Sequence, residues 1–151
     1  MVTVFAVLIL LQFALIVFHD WVDIPGWTHG RQVRAVVGPR KFWIATLVNA
    51  IFPGIAAGYA LRFWSGPVPG YVTGYWSIYC AVTVGSAIAM WWWPYLFGAT
   101  EETKRMYAAM YAGTRQVLPP RGDNPRANAL HLCFHALFVL NLALALALRF
   151  R

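Results

Sequence analysis

Two histidines lie one helical turn apart in the stretch ALHLCFHALFVLNLALALALRF, residues 129–150. His131 and His135 point to one side of a helix, because residues four apart share a face. Imidazole can transfer a proton near neutral pH and can bind a divalent metal. His19 and Asp20, at the end of an earlier apolar stretch, are candidates to join them. We take all four as candidate catalytic residues, and the pair in 129–150 as candidate metal ligands.

A divalent metal and a haem are the cofactors that this pattern allows. Two imidazoles one turn apart can share a metal, whereas axial ligation of one haem from a single helix is geometrically poor. A haem would therefore take one of the pair and a histidine elsewhere. The alternative is structural: the imidazoles form hydrogen bonds between helices or to a loop. An ionisable side chain at membrane depth favours a functional role.

A second set of residues could bind an anion. Arginines alternate with Pro, Gly and Asn in residues 115–126, and others lie in the first long loop. Guanidinium groups hold phosphates or lipid headgroups through paired hydrogen bonds. The aromatic run at 91–95 could stack on a flat ligand or form an interfacial belt. The alternative is ordinary loop charge that pairs with nearby aspartates. The candidate ligand-binding residues are Arg31, Arg34, Arg115, Arg121, Asp123, Asn124, Arg126, Trp93 and Tyr95.

Motifs for other chemistries are scarce. Asp20 and Asp23 are spaced as D-W-V-D, and such a pair could hold Mg²⁺ against a diphosphate or simply cap a helix and pair with arginines. The chain has no Gly-rich phosphate loop and no CxxC pair, and its 4 histidines are too few for a multi-histidine di-iron site. The sequence therefore names no reaction.

The composition is that of a membrane protein. Of 151 residues, 60% are hydrophobic and only 11% are charged, whereas soluble domains are about 25% charged. The net charge of +7 fits the positive-inside bias of membrane proteins better than a nucleic-acid partner. Cys80 and Cys133 are expected at different depths, as two buried thiols without a disulfide.

Four apolar stretches predict an all-α fold. We expect a single domain over residues 1–151, an integral membrane four-helix antiparallel bundle with short interfacial helices in its two cytoplasmic loops. The first helix lacks the flanks of a signal peptide, so we expect it to be retained. Gln12 should face the bundle, where its amide can find a partner. The predicted helices span about 2–18, 42–64, 71–97 and 129–150.

Small residues and caps refine this picture. Ridges of small residues every fourth position predict close packing of the second and third helices. Thr28, Thr100 and Asn128 are placed to cap helices, and Gly38 to end one. The helix after Thr100 has an apolar face and could lie in the interface plane. The ridge residues are Ala50, Gly54 and Gly58, then Ser77, Ala81, Gly85 and Ala89.

The charges divide unequally between the two ends of such a bundle. The loops 19–41 and 98–128 carry most of the Lys and Arg, and every acid lies in them. By the positive-inside rule these loops are cytoplasmic and both termini face outward, in what we take to be a bacterial inner membrane. Because the histidines lie at the same end, any chemical site should be at the cytoplasmic mouth.

Two kinds of function fit these features, and the sequence leaves open whether the protein is an enzyme. The first is binding of, or action on, an amphiphilic or lipid-like ligand at the Arg/His/Asp cluster, with membrane lipid as the partner. The second is an accessory subunit that docks to a protein partner, or to a second copy, through its small-residue ridges. A haem- or metal-binding role for His131 and His135 is a further alternative.

Overall fold

The computed structural model describes all residues from Met1 to Arg151 and is 72% helical, which confirms the all-α class. A π-helical turn, Ile88–Trp92, joins two of the helices into one continuous segment. A small hairpin of β1 (Asp23–Ile24) and β2 (Thr28–His29) follows the first helix. The helices are α1 Val2–Phe18, α2 Gly30–Val37, α3 Pro39–Arg62, α4 Gly70–Ala87, α5 Trp93–Phe97, α6 Glu101–Met110 and α7 Ala129–Arg149.

Three segments are long and apolar enough to cross a membrane. They are α3 with 24 residues, the continuous segment Gly70–Phe97 with 28, and α7 with 21. The apolar α1 is shorter, at 17 residues. The outer faces of these segments leave large apolar side chains exposed, among them Leu47, Phe52, Leu61, Ile78 and Val82. An apolar surface of this extent suits lipid rather than water, so the chain is a membrane protein.

The main core lies where α1, α3, α4 and α7 meet. Trp76 of α4 is fully buried there, packs edge-on against Phe5 at 4.8 Å between ring centroids, and donates its indole N–H to the carbonyl of Ala56 at 3.1 Å. Alanines of α3 and α7 surround this indole, because only small side chains leave room for it at a close helix crossing. These alanines are Ala56, Ala57, Ala60 and Ala145.

A chain of buried amides and one phenol crosses this core. Gln12 donates to the hydroxyl of Tyr79 at 2.7 Å, and Asn141 donates to the side-chain oxygen of Gln12 at 2.6 Å. The prediction that Gln12 faces inward is therefore confirmed. Polar groups in an apolar interior need such partners, and this network links α1, α4 and α7.

The prediction that the small-residue ridges pack the second and third helices together is wrong. A Cβ added at Gly58 or Gly85 would meet nothing within 4 Å, and Ala81 and Ala89 are exposed. The α3–α4 contact uses alanines on a different face of α3, grouped around Trp76. The face of α3 that turns inward is the one that accommodates the bulky Trp76. The spacing of small residues alone does not predict which face this is.

Two prolines, Pro53 in α3 and Pro94 in α5, interrupt helical hydrogen bonding. Pro94 affects the π-helical turn that precedes it. Proline has no N–H, so the carbonyl of Met90 loses its helical donor. The hydroxyl of Tyr107 donates to this carbonyl at 2.8 Å, while the N–H of Trp93 reaches back to Ile88. The turn therefore ties the end of the α4 segment to α6.

The loop expectations hold in most places. Thr100 caps α6 through the N–H of Thr103 at 3.2 Å, and Asn128 caps α7 through the N–H of His131 at 3.0 Å. Gly38, with φ +83°, ends α2, and Pro39 begins α3 at once, three residues before the predicted start.

Two expectations about individual positions are wrong. Thr28 does not cap α2; its hydroxyl donates to Val22 and accepts from Ile24 inside the hairpin. On the apolar face of α6, Tyr107 and Met110 are buried against α2 and the π-helical turn while Met106 is exposed, and a position of this helix in the interface plane stays a prediction. Of the two thiols, both free, Cys80 is buried but Cys133 is exposed on the outer face of α7.

Candidate functional site

The candidate site is a cavity of about 280 Å³ between the end of α1, the π-helical turn, α6 and the start of α7. We call it the inner cavity. All four candidate catalytic residues line it, so the structure brings together side chains that are more than 110 positions apart in the chain. Its polar lining consists of His19, Asp20, Asn49, Thr83, Ser86, Tyr107, Tyr111, His131 and His135.

The cap of α7 fixes the protonation of His131. The side-chain oxygen of Asn128 accepts the backbone N–H of His131 and lies 2.8 Å from its Nδ1. Since that oxygen can only accept, Nδ1 carries the proton and Nε2 keeps its lone pair. His131 thus offers a hydrogen-bond acceptor, or a base, at the cavity wall.

His135 has a buried ring nitrogen without a hydrogen-bond partner. Its Nδ1 is buried and has no partner within the protein, although the side chain lines the inner cavity. A buried polar atom without a partner costs about 1–3 kcal/mol. A polar group of a bound molecule could supply the missing hydrogen bond.

His19 and Asp20 form a pair at the end of α1. Nδ1 of His19 donates to the carbonyl of Leu15 at 2.9 Å, and its Nε2 lies 3.3 Å from a carboxylate oxygen of Asp20. Burial raises the pKa of Asp20, because desolvation disfavours the carboxylate, and this outweighs the nearby His19 and Arg34. The pair can hold one proton between imidazole and carboxylate.

Aromatic rings enclose the histidines. The ring of His131 lies 4.1 Å from that of Trp91 and 5.2 Å from that of Tyr111, measured between centroids. Phe134 is 5.0 Å from His19 by the same measure. The site is therefore a polar pocket with aromatic walls, in which buried electrostatic interactions are stronger than in water.

An apolar groove of about 430 Å³ opens between α3 and α4 beside the inner cavity. We call it the lateral groove. Its walls include Phe52, Ile78 and Val82, and the hydroxyl of Tyr75 donates across it to the carbonyl of Phe52 at 2.9 Å. The groove and the cavity share four lining residues: Ile16, Asn49, Thr83 and Ser86.

Polar groups lie at the junction between the lateral groove and the inner cavity. Pro53 cannot donate to the carbonyl of Asn49, so the main chain there lacks its helical donor. The Asn49 amide and two hydroxyls, those of Thr83 and Ser86, lie at the same place. A molecule that spans both spaces would meet polar groups at the junction and apolar walls on the groove side.

The five predicted arginines do not converge on one anion. Arg31 binds the exposed Asp23, whose pKa is lowered by the N–H and guanidinium of Arg31. Arg34 donates to the main-chain carbonyls of Asp20 and Trp21 at 3.2 Å each, at the end of α1. The remaining three lie in the second loop: Arg115 is exposed, Arg121 lies over the ring of Tyr95, and Arg126 donates to Leu118.

The other candidate ligand-binding residues also lie outside the inner cavity. Asn124 donates to the carbonyl of Tyr95, and the Tyr95 hydroxyl donates to Pro119, so both serve the loop fold. Trp93 is 60% exposed and packs only on Phe97 at the outer surface. Asp123 pairs with Lys104 at 2.9 Å beside a separate loop pocket of about 340 Å³.

Metal ligation finds little support in the geometry. No group of three or more His, Cys, Asp and Glu side chains is arranged to hold a metal ion. Asp20 and Asp23 diverge, because the first lines the inner cavity and the second caps α2 through the N–H of Arg31 at 3.0 Å. The D-W-V-D pair is therefore not a shared cation site.

Sequence reasoning missed several residues of the site. Trp91, Tyr111, Asn49, Thr83 and Ser86 all line the inner cavity and are not among the predicted site residues. The prolines were the available signals, since Pro53 and Pro94 each disturb a helix beside the cavity. The face on which each aromatic ring lies follows only from the tertiary packing.

The fold and the site together define a helical membrane protein with a polar, histidine-lined cavity that lies beside an apolar groove. In comparisons with known proteins, no family model, no curated protein and no solved structure matches this chain.

Proposed function

We propose that this chain is a four-crossing membrane protein that binds a lipid-like amphiphile, with the tail in the lateral groove and the headgroup in the inner cavity. The observation that carries the proposal is the shared lining of the two spaces, apolar on one side and rich in imidazoles on the other. Binding sites for small molecules are typically concave, mostly apolar and fitted with a few polar groups. Taken together, the two spaces have a volume in the range of such sites.

The residues of the inner cavity suit binding and allow proton transfer. His131 presents a fixed Nε2 lone pair, and His135 an unpaired Nδ1. A proton-transfer reaction on a bound molecule would use Nε2 of His131 as its base, with the His19–Asp20 pair as a second proton site. The arginines of the loops are not part of this machinery and serve the membrane orientation instead.

We expect a Ser86→Trp variant to lose at least about 90% of its co-purifying amphiphile, because an indole at the junction would fill the passage between groove and cavity. Ser86 is exposed, so the fold should tolerate the larger side chain. The measurement is quantitative mass spectrometry of lipid extracts from protein purified in a mild neutral detergent.

Gly85→Trp is the matched control, since Gly85 is the preceding residue, is exposed, and a Cβ there would meet nothing within 4 Å. This variant should keep its amphiphile. Equal retention by the two tryptophan variants, or wild-type protein free of any amphiphile, would refute the proposed binding site.

We also propose the topology that the charges favour: both termini outside and residues 19–38 and 98–128 in the cytoplasm of a bacterial inner membrane. A Gly66→Cys variant in the α3–α4 turn should react with an impermeant maleimide on intact cells. A Val117→Cys variant in the second loop should react only after permeabilisation. Both positions are exposed. The reverse labelling pattern would invert the topology and place the inner cavity on the outer side.

An accessory role is the second candidate, favoured by the exposed small residues of α4. Ala81, Gly85 and Ala89 leave a smooth strip against which another transmembrane helix, or a second copy of the chain, could pack closely. A stoichiometric protein partner together with an amphiphile-free cavity would support this role instead of amphiphile binding.

A further inference from the structure

We propose that the headgroup bound in the inner cavity is a cation of the alkylammonium class, recognised by Asp20 and the surrounding aromatic rings. This inference rests on the proposed amphiphile binding and specifies the chemistry of its ligand. It departs from the expectation of an anionic headgroup held by arginines.

The charges that line the cavity favour a cation. Apart from the histidines, Asp20 is the only ionisable acid or base with a formal charge at neutral pH in the lining, which contains no Lys and no Arg. Arg34 binds main-chain carbonyls beside Asp20 and forms no ion pair with its carboxylate. An anion placed here would face the carboxylate of Asp20, for which the lining offers only the imidazole of His19, at 3.3 Å, as a balancing partner.

The walls of the cavity have the same preference. Trp91, Tyr107 and Tyr111 line it, and the faces of such aromatic rings carry partial negative charge that attracts ammonium groups. Phe134 and Phe138 line the cavity on the α7 side. Quaternary ammonium groups are recognised by cages of aromatic rings, and here one acid is added to the rings.

Two polar groups of the lining would gain from such a ligand, although Asp20 already pairs with His19. Burial raises the pKa of Asp20, so a cation in the cavity would stabilise the carboxylate that desolvation disfavours. The buried Nδ1 of His135 has no partner and could bind a hydroxyl or ester oxygen near the headgroup when it carries its proton there. Both features indicate a ligand that is cationic at one point and polar nearby.

The test compares three probes with the same alkyl chain: dodecyltrimethylammonium, dodecanoate and dodecanol. Binding to the whole protein in a neutral detergent is followed by isothermal titration calorimetry at neutral pH. We expect the ammonium probe to bind at least about tenfold more tightly than dodecanoate, with dodecanol in between. In the Asp20→Asn variant the preference should fall to within about twofold.

Glu102→Gln is the control that removes the same charge from an exposed position of α6 outside the cavity. It should keep the tenfold preference. If the wild type binds all probes equally, or prefers dodecanoate, the cation proposal is overturned while amphiphile binding stands, provided that Ser86→Trp abolishes the signal. If the wild type binds none of the probes, both proposals fail. The wild-type comparison decides the matter even if Asp20→Asn does not fold.

Discussion

A Gly30→Ala variant is expected to lose its amphiphile and to unfold with a free energy lower by about 3 kcal/mol. Gly30 begins α2, and a Cβ there would lie 2.5 Å from the main-chain oxygen of Asp20 and 2.9 Å from that of Val22. These are backbone atoms, so they cannot rotate away as a flexible side chain could. The segment that carries Asp20 must therefore move, and the inner cavity moves with it.

Stability would be measured by titrating mixed micelles with a denaturing detergent while following tryptophan fluorescence, and retention by mass spectrometry. Gly58→Ala serves as the reference, since this helical glycine has open space around it and alanine favours helix by about 0.5–1 kcal/mol. A Gly30→Ala protein as stable and as loaded as the Gly58→Ala protein would show that the contact with Asp20 is unimportant.

Trp76→Ala is expected to lower the free energy of unfolding by about 3–5 kcal/mol. The substitution removes a fully buried indole, its edge contact with Phe5 and its hydrogen bond to Ala56. The surrounding alanines are too small to fill the space, so a void would remain where α1, α3 and α4 meet. The same detergent titration measures the effect.

Trp93→Ala gives the comparison for losing a tryptophan without losing core packing, because Trp93 is 60% exposed. It should change stability by no more than about 0.5 kcal/mol. Trp76→Phe should fall between the two, since it keeps much of the ring but leaves the carbonyl of Ala56 without the indole N–H. Similar losses for Trp76→Ala and Trp93→Ala would contradict the assignment of the core.

The sequence was sufficient for the four long helical segments because each one is a long apolar run with a recognisable end. Asn128 and Gly38 mark their boundaries through local chemistry that operates within a few residues. The predicted limits of 42–64 shifted to Pro39–Arg62 because proline at a first helical position starts a helix earlier than hydrophobicity suggests.

The arrangement of helices was less accessible to sequence reasoning. The ridge containing Gly54 and Gly58 has the spacing of a packing motif, yet the close contact was formed by Ala56 and Ala60 around Trp76. Which face turns inward depends on the largest side chain of the neighbouring helix. The inward face is therefore determined by the two helices together, and the sequence of one helix alone does not predict it.

The site was predictable in its ionisable residues but not in its shape. His19, Asp20, His131 and His135 line one cavity, and topology alone places them at the same end of the bundle. The lateral groove could not be foreseen, because its shape depends on how the side chains of α3 and α4 pack beside each other. The arginines, chosen for their charge, are taken up by separate local partners in the loops.

The π-helical turn also determines which way the side chains of the aromatic run, residues 91–95, point relative to the rest of the helix. A π-helical turn contains one residue more than an α-helical turn, and one residue corresponds to a rotation of about 100°. The two halves of the segment Gly70–Phe97 therefore turn different faces toward the bundle. Trp91 is buried beside His131 while Trp93 is exposed. Deleting a single residue upstream in this segment would rotate residues 91–93 about the helix axis. A tryptophan other than Trp91 would then face His131. The register of one turn thus selects which of the three tryptophans packs against His131.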